Sequence, residues 1–172
     1  LRALNSALES QIPYKRLKTQ ITSKSSYLGL FFISLSTLAL EIAFSRLLSV
    51  IMWYHLAFLI ISTSLLGMTA GAITVYVKPH WFTAAAFKDS LLIAAIAFSL
   101  IIPLSLVDLC LISFDQIRAN MSILLLFKTC LLCMLPFYFS GIVISAILTK
   151  TDRPIGWIYS TDLIGAAIGS LF

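Results

Sequence analysis

The sequence predicts an all-α integral membrane protein, a polytopic bundle of about five transmembrane helices. Three observations carry that reading. First, the chain is 60% hydrophobic and only 11% charged, whereas soluble domains run near roughly 45–50% and about 25%. A mean hydropathy of +1.01 over 172 residues leaves too little polar surface to cover a water-soluble globule of this size. Second, the apolar residues fall in long runs without the period-2 alternation of a membrane β-barrel strand. Third, the Lys and Arg residues gather at alternate ends of those runs.

The N-terminal segment, residues 1–26, precedes the first run. Leu1, Leu4, Leu8 and Ile12 recur at helical spacing among mostly polar or small residues, the pattern of a short amphipathic helix. Pro13 interrupts it. Lys15, Arg16 and Lys18 then place positive charge where anionic lipid headgroups would attract it, and "TSKSS" reads as a linker. This head is too long, and the run after it too apolar, for a cleaved signal peptide. The chain has no initiator Met and stops at "AAIGSLF", inside an apolar run, so it is expected to be a piece of a larger helical membrane domain.

Residues 27–172 form the transmembrane domain. Spans are expected near 27–51, 55–77, 90–107, 121–148 and 155–172, the fifth cut off at Phe172. Each complete run approaches or exceeds the about 20 residues that cross about 30 Å of hydrocarbon. Pro103 falls late in the third span and Pro136 inside the fourth, where proline bends a helix and frees carbonyls. Nine Lys/Arg residues (Arg2, Lys15, Arg16, Lys18, Lys24, Lys78, Lys88, Lys150 and Arg153) lie on one side, against Arg46, Arg118 and Lys128 on the other. The positive-inside rule therefore places the N-terminus in the cytoplasm. Trp53, Tyr54 and His55 fall at the outer interface, and His80 and Trp81 at the inner one. Both groups read as aromatic belts, and neither histidine has a metal-ligand partner at useful spacing.

The net charge of +5 and pI of 9.3 raise the question of nucleic acid. The charges flank greasy segments and no base-stacking surface or basic motif accompanies them, so orientation in a membrane explains them and no nucleic-acid partner is expected. The three cysteines make no disulfide framework. Cys130 and Cys133 form a CxxC that a helix would present on one face. Without a second CxxC or a nearby His, two small packable residues are the plainer reading than a redox pair or half a metal site.

Small residues mark two helix faces. Thr63, Gly67 and Gly71 are four apart in the second span, as are Gly165 and Gly169 in the fifth. Such spacing lets backbones approach closely, most of all at the glycines. Both grooves are expected to be packing surfaces, and their similar depth makes them candidates for each other.

Charge inside the spans is costly and commonly faces the bundle interior. Glu41 and Arg46 stand five residues apart, roughly 140° apart around a helix, so they are poor partners for each other. Arg46 lies near the outer interface, where it can snorkel. Glu41 lies deeper, roughly 9 Å from the outer boundary at about 1.5 Å per residue. Lys128, about 10 Å down the fourth span by the same rise, is then its best candidate partner, as a structural ion pair or as part of a substrate or ion path, the alternative being a protonated Glu41 with a hydrogen bond. Asp162 near the start of the fifth span accepts hydrogen bonds at a helix N-terminus or faces a partner.

Three stretches, "LALEIAFSRLLS", "LLGMTAGA" and "IYSTDLIGAAIGSL", together resemble the membrane domain of bacterial membrane-bound spermidine-synthase-like proteins. The matching positions are Glu41, Arg46, Gly67, Gly71, Tyr159, Asp162, Gly165 and Gly169, within residues 28–172. The resemblance implies the bacterial inner membrane, further helices beyond Phe172, and often a downstream soluble domain that binds an S-adenosyl donor and transfers an aminopropyl group to a polyamine. That chemistry is not in these residues. No Gly-rich loop follows a strand and no acidic catalytic pair sits in a soluble fold, so no catalytic site, metal or cofactor is expected here. The expected role is an anchor or substrate-handling module of such a protein, whose partners are the bilayer and other membrane helices of the same or another chain. The alternatives are a transporter with Glu41 and Lys128 lining a path, and a non-catalytic accessory subunit held by its Gly-rich faces.

Overall fold

The computed structural model describes residues 24–51, 57–82, 87–111, 123–150 and 155–171. These form α1 (Lys24–Ile51), α2 (Ala57–Val77), a 3-10 turn (Pro79–Phe82), α3 (Phe87–Leu111), α4 (Ile123–Lys150) and α5 (Ile155–Gly169), with no strand among the described residues. The protein is an all-α helical bundle. Among the described residues, four stretches are long and apolar enough to cross a membrane: Tyr27–Val50, Phe58–Val77, Phe87–Leu111 and Phe127–Thr149. α5 has 15 residues, about 22 Å at 1.5 Å per residue, and falls short of that length. The third helix runs from Phe87 to Leu111, longer at both ends than the 90–107 expected, so Pro103 lies well inside it. The amphipathic segment, Trp53 to His55, Arg118 and Arg153 lie outside the described residues.

Local chemistry explains the boundary that positions the 3-10 turn. Lys78 N–H still reaches Thr74 O at 2.9 Å. Pro79 follows, without an N–H to continue the ladder, and Trp81 N–H closes the tighter turn on Lys78 O at 3.2 Å. Ser90 Oγ then donates to Trp81 O at 2.7 Å, tying the turn to the first turn of α3.

α4 is the central helix and packs against α1, α2 and α3, while α5 packs against α1. Each peripheral helix buries one stripe. On α2 it is Ile60, Ser64, Gly67, Gly71 and Val75, the 3–4 spacing of one helical face. α4 buries residues nearly all round its second half, from Pro136 to Ile147. The outward surfaces carry large apolar side chains such as Phe58, Ile73, Leu100 and Phe127, each more than half exposed. Water would drive such a surface to aggregate, whereas lipid solvates it, and this supports a membrane location.

The interior has two apolar clusters. One, toward the end bearing Lys78 and Lys88 (the basic end), includes Leu30, Val75, Phe82, Phe87, Ala146 and Ile158. The other includes Leu48, Ile60, Phe98, Leu109, Cys133 and Phe137, with Phe44 and Phe137 stacked edge to face at 6.1 Å. Between them lies a layer of small and polar residues: Ser34 and Thr37 on α1, Gly67 and Gly71 on α2, Ser140 and Gly141 on α4, and Asp162 and Gly165 on α5. Counted from the basic end of each helix, all fall roughly 9–20 Å in at 1.5 Å per residue.

In this layer the backbones touch. A methyl group at Gly67 would lie 2.7 Å from Met134 O, one at Gly71 would overlap Tyr138 O, and one at Gly141 would lie 2.5 Å from Met68 O. α2 and α4 thus dock reciprocally. The two small-residue grooves do not meet each other. Gly67 and Gly71 pack on α4, while Gly165 and Gly169 pack on α1, where added methyls would strike Phe31 O and Leu35 O. Thr63 sits at the margin of the α2 stripe, its hydroxyl turned back to Leu59 O at 2.7 Å, and Ser64 takes the buried position beside it.

Pro136 leaves the Leu132 carbonyl without its helical donor. Ser105 Oγ on α3, fully buried, lies 3.0 Å from Leu132 O and 3.0 Å from its own Ile101 O. A proline in one helix is thereby matched by a serine in the next.

Two outcomes are expected. Gly71→Leu should lower the thermal midpoint of the detergent-solubilised protein sharply, since overpacking costs about 1–3 kcal/mol even where side chains can move and here the obstacle is backbone. Gly29→Leu, at a site with open space around it, should leave the midpoint near that of the parent. Ser105→Ala should destabilise by about 1 kcal/mol in the parent and by much less in a Pro136→Ala background, where the N–H of residue 136 serves Leu132 O. Equal cost in both backgrounds would break the proposed link between proline and serine.

The polar seam of α1

The buried face of α1 reads Leu30, Ser34, Thr37, Leu40, Phe44, Leu48, and Glu41 stands beside it, partly exposed. Ser34, Thr37 and Glu41 are separated by three and four residues, so they form one row down the helix. Each reaches a different neighbour. Ser34 Oγ donates to Asp162 Oδ1 on α5. Thr37 Oγ1 lies 2.8 Å from Ser140 Oγ on α4 and 2.7 Å from its own Ile33 O. Ser64 Oγ on α2 lies 2.8 Å from Glu41 Oε1 and 2.9 Å from Ile61 O. One seam therefore joins α1 to α5, α4 and α2 in succession. A fourth polar contact, Thr74 Oγ1 to Tyr138 OH at 3.0 Å, braces α2 against α4 toward the basic end.

Hydroxyls suit this work. A Ser or Thr in a helix can satisfy itself on the carbonyl one turn back, so orienting it toward a neighbour leaves nothing orphaned. Carboxylates differ. Glu41 and Asp162 each accept from one serine, and neither has a cationic partner within ion-pair distance among the described residues.

The structure gives Lys128 a partner other than Glu41. Its Nζ lies 2.7 Å from Asp108 Oδ1 near the C-terminal end of α3. Lys128 is 63% exposed and Asp108 16%, the profile of a pair at the margin of the bundle. The ends of the helices account for the partner Lys128 takes. α3 extends past the expected end at Val107, so Asp108 lies on the helix. Arg46 is exposed on α1, consistent with a snorkelling cation. The cysteines are free thiols, with Cys110 exposed, Cys130 half-buried and Cys133 inside the apolar cluster. No group of three metal-ligating side chains occurs among the described residues.

Ser34, Thr37, Ser64, Ser140, Gly141 and Asp108 carry this arrangement, and none stands out by composition. The usable signal was spacing: counting three, four and seven residues back from Glu41 reaches Leu38, Thr37 and Ser34, two of them polar. These features define a class, a polytopic α-helical membrane protein knit by an intramembrane polar seam. No known protein family, curated protein or solved structure matches the chain.

Reversing Lys128 or Asp108 alone should lower the thermal midpoint slightly, by no more than about 1 kcal/mol for so exposed a pair, and the double reversal should restore it. Reversing Glu41 together with Lys128 should give no rescue. A double-mutant cycle on Ser34→Ala and Asp162→Ala should return a coupling of about 0.6 kcal/mol, with about 1.7 as the upper bound for interhelical hydrogen bonds in membranes.

Proposed function

We propose that this chain is the membrane module of a spermidine-synthase-like protein of the bacterial inner membrane, its basic end facing the cytoplasm, and that it anchors the protein and handles a cationic substrate without a catalytic centre of its own. The observation that carries the reading is the α1 seam: two carboxylates, each hydrogen-bonded by a serine hydroxyl and neither with a cation within ion-pair distance among the described residues, Asp162 in the layer closed by glycine contacts and Glu41 further along α1. Uncompensated intramembrane carboxylates are expensive and commonly functional. A polyamine supplies the charge they lack. The backbone-to-backbone contacts of the same layer favour a packed module over an open conduit.

A transporter is the second reading. It draws on the same two carboxylates, which lie about 10 Å apart along α1 if Glu41 and the Asp162-bound Ser34 mark their levels.

The two readings separate in proteoliposomes containing the full-length protein. Binding of radiolabelled spermidine is expected, together with a loss of at least about tenfold in affinity in Asp162→Asn or Glu41→Gln, equivalent to about 1.4 kcal/mol. No accumulation inside the vesicles is expected. Sustained, saturable uptake abolished by the same substitutions would replace the module reading with the transporter. Absence of spermidine binding would remove both.

A further inference from the structure

We infer that the cleft between the 3-10 turn, α3 and α4 binds one anionic glycerophospholipid, with its headgroup at Lys78 and the start of an acyl chain between the helices. The cleft has a volume of about 440 Å³ and is lined by His80, Trp81, Phe82, Ser90, Ile93, Ala94, Phe139 and Ile142. That volume lies within the about 300–1,000 Å³ of small-molecule sites.

The lining is ordered by polarity. His80, Trp81 and Ser90 stand at the basic end of the bundle. Ile93 and Ala94 lie one turn further along α3, and Ile142 and Phe139 continue along α4. The floor is Phe82, 5% exposed. A ligand that is polar at one end and hydrocarbon beyond it matches this sequence of surfaces, and that is the construction of a phospholipid lying along a helix bundle.

Charge selects the headgroup. Lys78 Nζ sits 4.1 Å from the centroid of the Trp81 ring, so a cation is held against a side chain that lines the cleft rather than swinging free in solvent. The Trp81 carbonyl is in turn fixed by Ser90, and the His80 ring packs edge to face on the indole at 6.0 Å. The rim therefore holds a positioned cation, Lys78 against Trp81, with Asp89 beside Ser90 in the first turn of α3. A basic pocket between membrane helices at the interface is a recognised setting for anionic headgroups. An indole at such an interface places an N–H donor at headgroup level. A second protein chain would bring no comparable need for a cation at one end and a hydrocarbon slot at the other. The inference is independent of the function proposed above, because it involves neither Glu41 nor Asp162.

The test uses Trp81 as the reporter. Trp53→Phe and Trp157→Phe leave it the sole tryptophan of the three in the chain. The protein is reconstituted in vesicles whose phosphatidylglycerol or phosphatidylcholine carries bromine in the acyl chain, a short-range quencher of indole fluorescence. Bulk annular lipid quenches equally whatever the headgroup. A selective site should make brominated phosphatidylglycerol effective at about fivefold lower mole fraction, the preference one lysine confers near a membrane surface. Lys78→Gln should bring that ratio to about one. Ala94→Leu, which fills the slot while leaving the rim intact, should reduce quenching by both lipids. Thermal midpoints of each variant confirm that the bundle is intact. Equal quenching by the two lipids in the parent protein would overturn the inference, as would a ratio unchanged by Lys78→Gln. Protection of Trp81 from both lipids would also overturn it, by showing the cleft closed by protein.

Discussion

The crossing of α2 and α4 is the contact on which the other helices depend. Within a bilayer the hydrophobic effect does not drive helices together, because lipid tails are as apolar as the side chains they would replace. Association rests instead on how closely surfaces fit. At Gly67, Gly71 and Gly141 the two backbones approach until no side chain separates them, which brings long rows of atoms within dispersion range. Once α2 and α4 are fixed, α1 meets both, α3 meets the far side of α4, and α5 repeats the same kind of glycine contact on α1 through Gly165 and Gly169.

Hydrogen bonds then set register. Each pair of packed helices has at least one polar contact at a defined height: Ser34 with Asp162, Thr37 with Ser140, Glu41 with Ser64, and Ser105 with the carbonyl that Pro136 leaves open. Individually these are weak, since hydroxyls in membrane helices find alternative acceptors on their own backbone. Collectively they penalise any slip along a helix axis, because a shifted serine would leave a carboxylate facing hydrocarbon. The Ser34–Asp162 and Thr37–Ser140 contacts fall in the glycine layer for a physical reason. Short polar side chains can bridge two helices only where the backbones are already close.

The basic end has a different character. There the chain leaves the regular helices at Pro79, and the 3-10 turn brings Lys78, His80 and Trp81 beside an apolar cleft. Its residues face outward to lipid and headgroups, while those of the seam face one another. Anchoring to the bilayer and joining of helices are thereby handled by separate sets of side chains. Arg46 and the Lys128–Asp108 pair play the corresponding part at the other end.

Much of this was legible in the chain alone. Composition and uninterrupted apolar runs specify membrane helices, because lipid leaves backbone amides no other partner. Gly67, Gly71, Gly165 and Gly169 mark packing faces because spacing by four keeps residues on one side of a helix. Pairing is another matter. That the α2 glycines meet α4 and the α5 glycines meet α1, that Lys128 turns to Asp108, and that Glu41 takes Ser64 are facts about which helix stands beside which. Periodicity describes one helix at a time and holds no record of its neighbour. A serine that closes a proline's gap on another helix looks like any other serine until the two helices are brought together, so the partners were decided by tertiary structure.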